Sequence, residues 1–287
     1  MALMDFFVVE FNKMPWTGSL TGPFLARLFQ NFRGEADVYG LVQTNLVILA
    51  ASVYARDPTQ FNVFQSDDFL WFLSKYCQSN SDSEKDAALN CLHFLFQQKA
   101  CLVEFFGANP QNLELLRCWL RMHRDTDLKM SFMASLSSLL EFSEDVRHSE
   151  IVRRLFSNIK SEANFPNPGK DSNSVNYLIE LTEVPDEPEE IAGLGVIQNL
   201  LRWPWGFQAF FANVRARDYL LTRIPKSQAL AQRQYEVVKT ANEMSTQTQG
   251  LVDGETVGRI LKYLNDGVYG ENAPPQIDPA VASRSRE

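Results

Sequence analysis

Histidine and cysteine are scarce in this sequence, and the few present are scattered. The three histidines, His93, His123 and His148, form no HxxxH pair, and the four cysteines, Cys77, Cys91, Cys101 and Cys118, include no CxxC. Protein zinc sites draw on such spacings, so neither a metal centre nor a cofactor is expected. The cysteines sit within apolar, helix-patterned stretches and read as reduced core residues rather than a disulfide framework. A thiol enzyme would set a cysteine beside a histidine; Cys91 and His93 lie two positions apart, an offset that points side chains in different directions on a helix. GxSxG, GxGxxG, Walker and HExxH motifs are all absent, so the chain is not expected to be an enzyme.

Positive charge is also in short supply. Lys and Arg total 27 against 35 Asp and Glu, a net charge of −8, which gives nucleic acid or an anionic membrane little reason to bind. A protein with a basic face is the better expected partner. The longest apolar run, Leu46 to Val53, is interrupted at Ser52 and falls far short of the roughly 20 residues that span a bilayer. Met1 to Glu10 carries neither the basic n-region nor the cleavage site of a secretion signal. A soluble, monomeric chain is expected, in the cytoplasm with the nucleus as a second compartment. Strand patterns are nearly missing, Phe7 to Phe11 being the one short exception, and it could equally begin a helix.

What is present is a recurring helical unit. First helices read FLARLFQNF (Phe24 to Phe32), FLWFLSKYC (Phe69 to Cys77), LLRCWLRMH (Leu115 to His123) and VNYLIELTE (Val175 to Glu183), each with apolar residues at helical spacing. Each is followed, across a short acidic break, by a second helix: EADVYGLVQTNLVILA, EKDAALNCLHFLF, DLKMSFMASLSSLLE and PEEIAGLGVIQNLL. Acidic residues suit helix N-termini. The first two steps between units are 45 and 46 residues, within the range of about 40–47 for HEAT and armadillo repeats. The third is 60, and the Pro, Gly, Asn and Ser cluster FPNPGKDSNS (Phe165 to Ser174) within it reads as an inserted loop. A second self-similarity aligns LHFLFQQKACLVEFFGAN (Leu92 to Asn109) with IQNLLRWPWGFQAFFANV (Ile197 to Val214), Phe105 and Phe106 meeting Phe210 and Phe211. In armadillo units a short third helix ends at a Gly, Ala or Asn, and Gly107 and Asn213 lie near that position.

One helix pair cannot bury its apolar face alone, so neighbouring pairs stack. The fold expected is all-α, a HEAT/armadillo-like α-solenoid over residues 22–265, after an N-terminal segment 1–21 of loop chemistry and before a disordered tail 266–287 rich in proline and small polar residues. No polar cap is evident at the start, as in the C-terminal part of a longer array or a naturally short one. Ser227 to Thr246 reads as a long closing helix, with Leu230, Tyr235, Val238 and Ala241 on one side, and Glu255 to Leu264 as one more short helix.

The remaining clusters have structural readings. The carboxylates of PDEPEE (Pro185 to Glu190) fit helix-dipole compensation better than acid/base or cation chemistry. The aromatic run from Trp203 to Phe211 lacks the basic surround of a base-stacking platform and reads as core with a helix break at Pro204. The arginines of VRRLF and VRARD read as solvated faces. That leaves surface. With Ala88, Leu89, Leu92 and Phe96 on the core side of the second helix, Asp86, Asn90, His93 and Gln97 fall on or near the other side, and Gln198 and Arg202 correspond to them in the later unit. These six are the candidate partner-binding residues.

The C-terminal third also carries a resemblance. WPWGFQAFFANVRARDYLLTR (Trp203 to Arg223), RQYEVVKTA (Arg233 to Ala241) and LKYLNDGVYG (Leu261 to Gly270) resemble, in order and spacing, the end of the 26S proteasome non-ATPase regulatory subunit 5 family. That family shows a PW, then Phe and Asn, then YLLDR, KYEVVK and LxxYxxEGPYY. Pro204, Trp205, Phe211, Asn213, Tyr219, Leu220, Leu221, Arg223, Tyr235 to Lys239, Tyr263, Gly267 and Tyr269 occupy matching places, whereas Thr222 stands at the acidic position. The resemblance implies a non-catalytic assembly chaperone of the proteasome regulatory-particle base, gripping the C-terminal domain of a base ATPase subunit. A generic armadillo adaptor with another client is the alternative. The motif residues are mostly apolar or aromatic, as expected of residues that build terminal repeats.

Overall fold

The computed structural model describes residues 44–45, 47–49, 51, 73–97, 99, 128–157, 170–223, 227–248 and 250–270. Among them every regular element is helical and no strand occurs, so the fold is all-α as expected. Segment 1–21, the first helices at Phe24 and Leu115, residues 101–109 of the internal alignment, Cys101, Cys118, His123 and residues 271–287 lie outside the described residues. The chain divides into two compact units, Met1–Ile159 and Lys160–Glu287.

In the first unit, residues 73–77 are helical and bury Leu73, Tyr76 and Cys77. Helix α1 (Asp82–Gln97) follows, its first turn carrying Asp82 and Glu84, where negative charge meets the positive end of the helix dipole. It buries Ala88, Leu89, Cys91, Leu92, Leu95 and Phe96 and packs against α2 (Lys129–Leu139), which contributes Phe132, Met133, Leu136 and Leu139. Helix α3 (Val146–Ser157) buries His148, Val152, Leu155 and Phe156 and leaves Arg153 and Arg154 exposed. These two arginines thus lie on a solvated face, as the sequence suggested.

The second unit opens with a hairpin of α4 (Lys170–Thr182) and α5 (Glu187–Leu201). Helix α4 begins inside the segment read from sequence as an inserted loop; the helix takes up Lys170 to Ser174 directly after Gly169, because Asp, Ser and Asn are tolerated in a first turn even though they favour turns elsewhere. Asp186 caps α5, its carboxylate accepting from the Glu189 N–H at 3.1 Å, with Pro188 in the first turn and Glu187, Glu189 and Glu190 complementing the dipole. The hairpin closes tightly at Gly193, where a Cβ would stand 2.6 Å from Thr182 Oγ1.

The chain then turns at Trp203 into two short helices, α6 (Pro204–Ala212) and α7 (Val214–Leu221). Pro204 sits in the first turn, where its missing N–H costs nothing. Trp203, Phe207, Phe210 and Phe211 are buried, with ring centroids 4.9 Å apart for Phe207 and Phe211 and 5.4 Å for Phe210 and Phe211. Four of the run's five aromatic rings are thus core, and Trp205 is half-buried. Asn213 both ends α6 and caps α7: its Oδ1 accepts from Ala216 N–H at 3.1 Å while its Nδ2 donates to Asn176 on α4 at 2.9 Å.

Ser227 caps the 20-residue helix α8 (Gln228–Gln247), accepting from Leu230 N–H. Leu230, Val237, Val238, Ala241 and Met244 are buried and Tyr235 is half-buried. Helix α9 (Gly254–Asn265), capped by Asp253, packs onto α8, so α8 lies inside the stack rather than closing it.

The repeat is written in the cross-helix hydrogen bonds. Between α1 and α2 they join residues 41 to 45 apart (Asp86 to Ser131, His93 to Ala134 and Ser138). In the second unit Glu187 meets Ser227 at a separation of 40 and Gln198 meets Thr240 at 42. Asp218 meets Arg259 at 41, and Arg223 reaches the Tyr263 carbonyl at 40. In each series earlier residues pair with earlier and later with later. So α1 runs parallel to α2, α5 to α8, and α7 to α9, the arrangement of equivalent helices in successive HEAT or armadillo units.

Candidate protein-binding face

Four of the six candidate residues lie along one line of α1, and the structure shows what they touch. Asn90 Nδ2 donates to Asp86 Oδ2 at 3.1 Å, and Ser131 of α2 donates to Asp86 Oδ1 at 2.5 Å. A turn further on, His93 Nδ1 lies 2.8 Å from Ser138 Oγ and 3.3 Å from the Ala134 carbonyl, and Gln97 Nε2 lies 3.0 Å from His93 Nε2. Asp86, Asn90 and His93 are half-buried and Gln97 is exposed. The four form a polar seam between parallel helices, its inner atoms engaged by α2 and its outer edge in water. Periodicity identifies this side as non-core; it cannot reveal that serines of α2 meet it.

Cys91 faces the opposite way. It is fully buried, and burial, together with the nearby Cys77, pushes its thiol well above the usual cysteine value. A thiol held neutral in an apolar site is a poor nucleophile, and His93 is occupied at the seam. Among the described residues no group of three or more His, Cys, Asp or Glu is placed to hold a metal ion, and no helix is long and apolar enough to cross a membrane.

Gln198 and Arg202 lie in the second unit. Gln198 Nε2 donates to Thr240 Oγ1 at 2.9 Å, tying α5 to α8 much as Asp86 and His93 tie α1 to α2. Arg202, the C-cap residue of α5, is exposed. Beside it is a residue that sequence reasoning did not select: Arg233 of α8, whose Nη2 lies 2.9 Å from where a Cβ on Gly195 would be. Burial and the charge of Arg202 hold Arg233 below the usual arginine value, against the pull of Glu236. The signal that could have found it is the period itself, since Gly195 and Arg233 sit 38 positions apart.

The carboxylates of PDEPEE are likewise absorbed into the fold. Glu187 accepts from Ser227 at 2.7 Å, and buried Glu190 accepts from the Tyr219 hydroxyl at 3.4 Å, with burial the main cause of that phenol's raised pKa. The matched motif ends also meet. Arg223 donates to the carbonyls of Val268 (2.7 Å) and Tyr263, and its guanidinium carbon lies 3.9 Å from the centre of the Tyr263 ring. Gly267 and Gly270, both at positive φ, let the chain turn back beneath it. These residues build a clasp at the end of the helical stack.

Parallel helices repeating at about 40 residues, with polar seams along them, define a helical-repeat scaffold, a class that works through its surfaces. The chain belongs to the proteasome non-ATPase 26S subunit family, whose model matches residues 88–286, more than two thirds of the sequence. No curated protein matches the sequence.

Proposed function

We propose that this chain is a non-catalytic chaperone for assembly of the 26S proteasome regulatory-particle base, and that it binds the C-terminal domain of a base ATPase subunit. The observation that carries this reading is the family match over residues 88–286, which includes all the described helices of the second unit and most of α1. The physical setting supports it: a row of pre-packed helices can engage a folded domain over a standard-sized interface with little rearrangement. The protein acts in the cytoplasm and nucleus as a monomer. It holds its client until other subunits compete for the same surface.

Gel filtration of the purified chain, mixed in turn with the isolated C-terminal domain of each base ATPase, tests this directly. Co-elution with one domain and not the others is the expected result. Separate elution from every one of them would reject the chaperone reading and leave a family member with a different client.

A further inference from the structure

We propose that Arg202 and Arg233 anchor a docking site for an acidic segment of a partner protein, on the face where α5 and α8 lie side by side. The proposal rests on the reading of this chain as a protein-binding scaffold and goes beyond it by naming a site and the chemistry it takes.

The second unit has six described arginines, and four are matched within the protein. Arg215 pairs with Glu183 (2.5 Å) and Glu180 (3.5 Å), and Arg259 with Asp218 (2.9 Å). Arg217 reaches Asp253 at 3.9 Å and Thr256 at 3.5 Å, and Arg223 donates to two carbonyls. Among these six, only the guanidiniums of Arg202 and Arg233 have no hydrogen-bonded or ion-paired partner among the described residues. Glu236, three residues on from Arg233, attracts it without pairing and accepts from Gln232 at 3.1 Å. In a chain of net charge −8, two guanidiniums without a bonded partner on one face, Arg233 reaching α5 at Gly195, seven residues before Arg202, are an exception that needs a reason.

Arg233 is also partly withdrawn from water. Its guanidinium fills the notch left by the absent side chain of Gly195, where a Cβ would stand 2.9 Å from Nη2. Burial outweighs the attraction of Glu236 and leaves the Arg233 charge under-compensated, so a further anion on this face is favoured by both guanidiniums and by the lowered local dielectric. The planar guanidinium presents paired donors that match a carboxylate two at a time. The Gln198 to Thr240 bond, four residues before Arg202, ties α5 to α8 on this face, so little ordering remains for the partner to impose. A nucleic-acid backbone needs a longer run of cations than two; a short run of Asp or Glu does not.

The test is fluorescence anisotropy of a short labelled peptide of alternating glutamate and glycine, titrated with the full chain at about 0.15 M salt. Saturable binding that weakens about tenfold or more in R202Q/R233Q, with helical circular dichroism unchanged, is expected. The exposed-site variant R202E serves as a second check if the double variant folds poorly, and it should weaken binding at least several-fold. Absence of saturable binding to the wild-type chain, or equal binding by the variants, would overturn the proposal. So would displacement of the peptide by equimolar inorganic phosphate, which would reassign the pair to a phosphate group. Parallel capture of base ATPase domains separates this from the functional reading. If wild-type and variant chains capture them equally, the chaperone stands and the peptide titration alone decides the docking site; if neither captures them, the chaperone fails and the titration still decides the site.

Discussion

Two glycines of the second unit should respond in opposite directions to the same substitution. At Gly206, in the first turn of α6, a Cβ would stand 2.3 Å from the Leu200 carbonyl oxygen and 2.7 Å from Leu200 Cδ1. The carbonyl is backbone and cannot rotate away, so Gly206→Ala forces α6 off α5, at the cost of about 1–3 kcal/mol typical of overpacking. Alanine's helical preference offsets at most about 1 kcal/mol of that, leaving a net loss of roughly 1–2 kcal/mol. At Gly258, in the middle of α9, a Cβ meets nothing within 4 Å and φ is not positive. Gly258→Ala should therefore stabilise by about 0.5–1 kcal/mol through chain entropy. Urea unfolding followed by tryptophan fluorescence reads both, since Trp203 and Trp205 lie just before Gly206 in the same unit. With a slope of about 2 kcal/mol per molar, the first midpoint falls by about 0.5–1 M and the second rises by about 0.25–0.5 M. Shifts of the same sign, or no loss at Gly206, would refute the packing of α6 on α5 described above.

Arg223→Ala removes the guanidinium from the Tyr263 ring and from two carbonyls; a loss of about 1–3 kcal/mol is expected, with amide exchange accelerated at residues 263–270 more than elsewhere in the unit. Asn213→Ala removes the cap of α7 and the bond to Asn176, and urea melts should register about 1–2 kcal/mol. His148 is buried, and burial, with a contribution from Lys99, lowers its pKa from 6.5 to about 4. Its folded value lies below its unfolded one, so its contribution is complete above about pH 6.5 and is lost as pH falls toward 4, amounting to up to about 3 kcal/mol. Melting temperature against pH should fall through that window in the wild type and fall less in His148→Leu; identical profiles would show that His148 titrates normally.

Local signals made much of this fold legible. Asp186 followed by Pro188 and two glutamates marks the start of α5, and Ser227 marks α8, because a cap and its helix are neighbours in sequence. The period followed for the same reason, as it is carried by each unit's own pattern of apolar residues. Helix α3 was visible only as the cluster VRRLF, and the start of α4 was hidden because Asp, Ser and Asn signal turns as strongly as first turns of helices. The candidate face was half legible. Helical spacing set Asp86, Asn90, His93 and Gln97 apart from the core, but their engagement by Ser131 and Ser138 depends on which helix lies alongside. Arg233 was missed for that reason too: nothing within its own helix distinguishes it, and its role arises from a glycine on another.

Affinity purification of the tagged full chain from its own cells, with gentle salt and peptide identification, shows whether this chain serves proteasome base assembly. If it does, base ATPase subunits are recovered without the 20S core. Recovery of no proteasome ATPase, or of the complete holoenzyme with its 20S core, would contradict a role in base assembly.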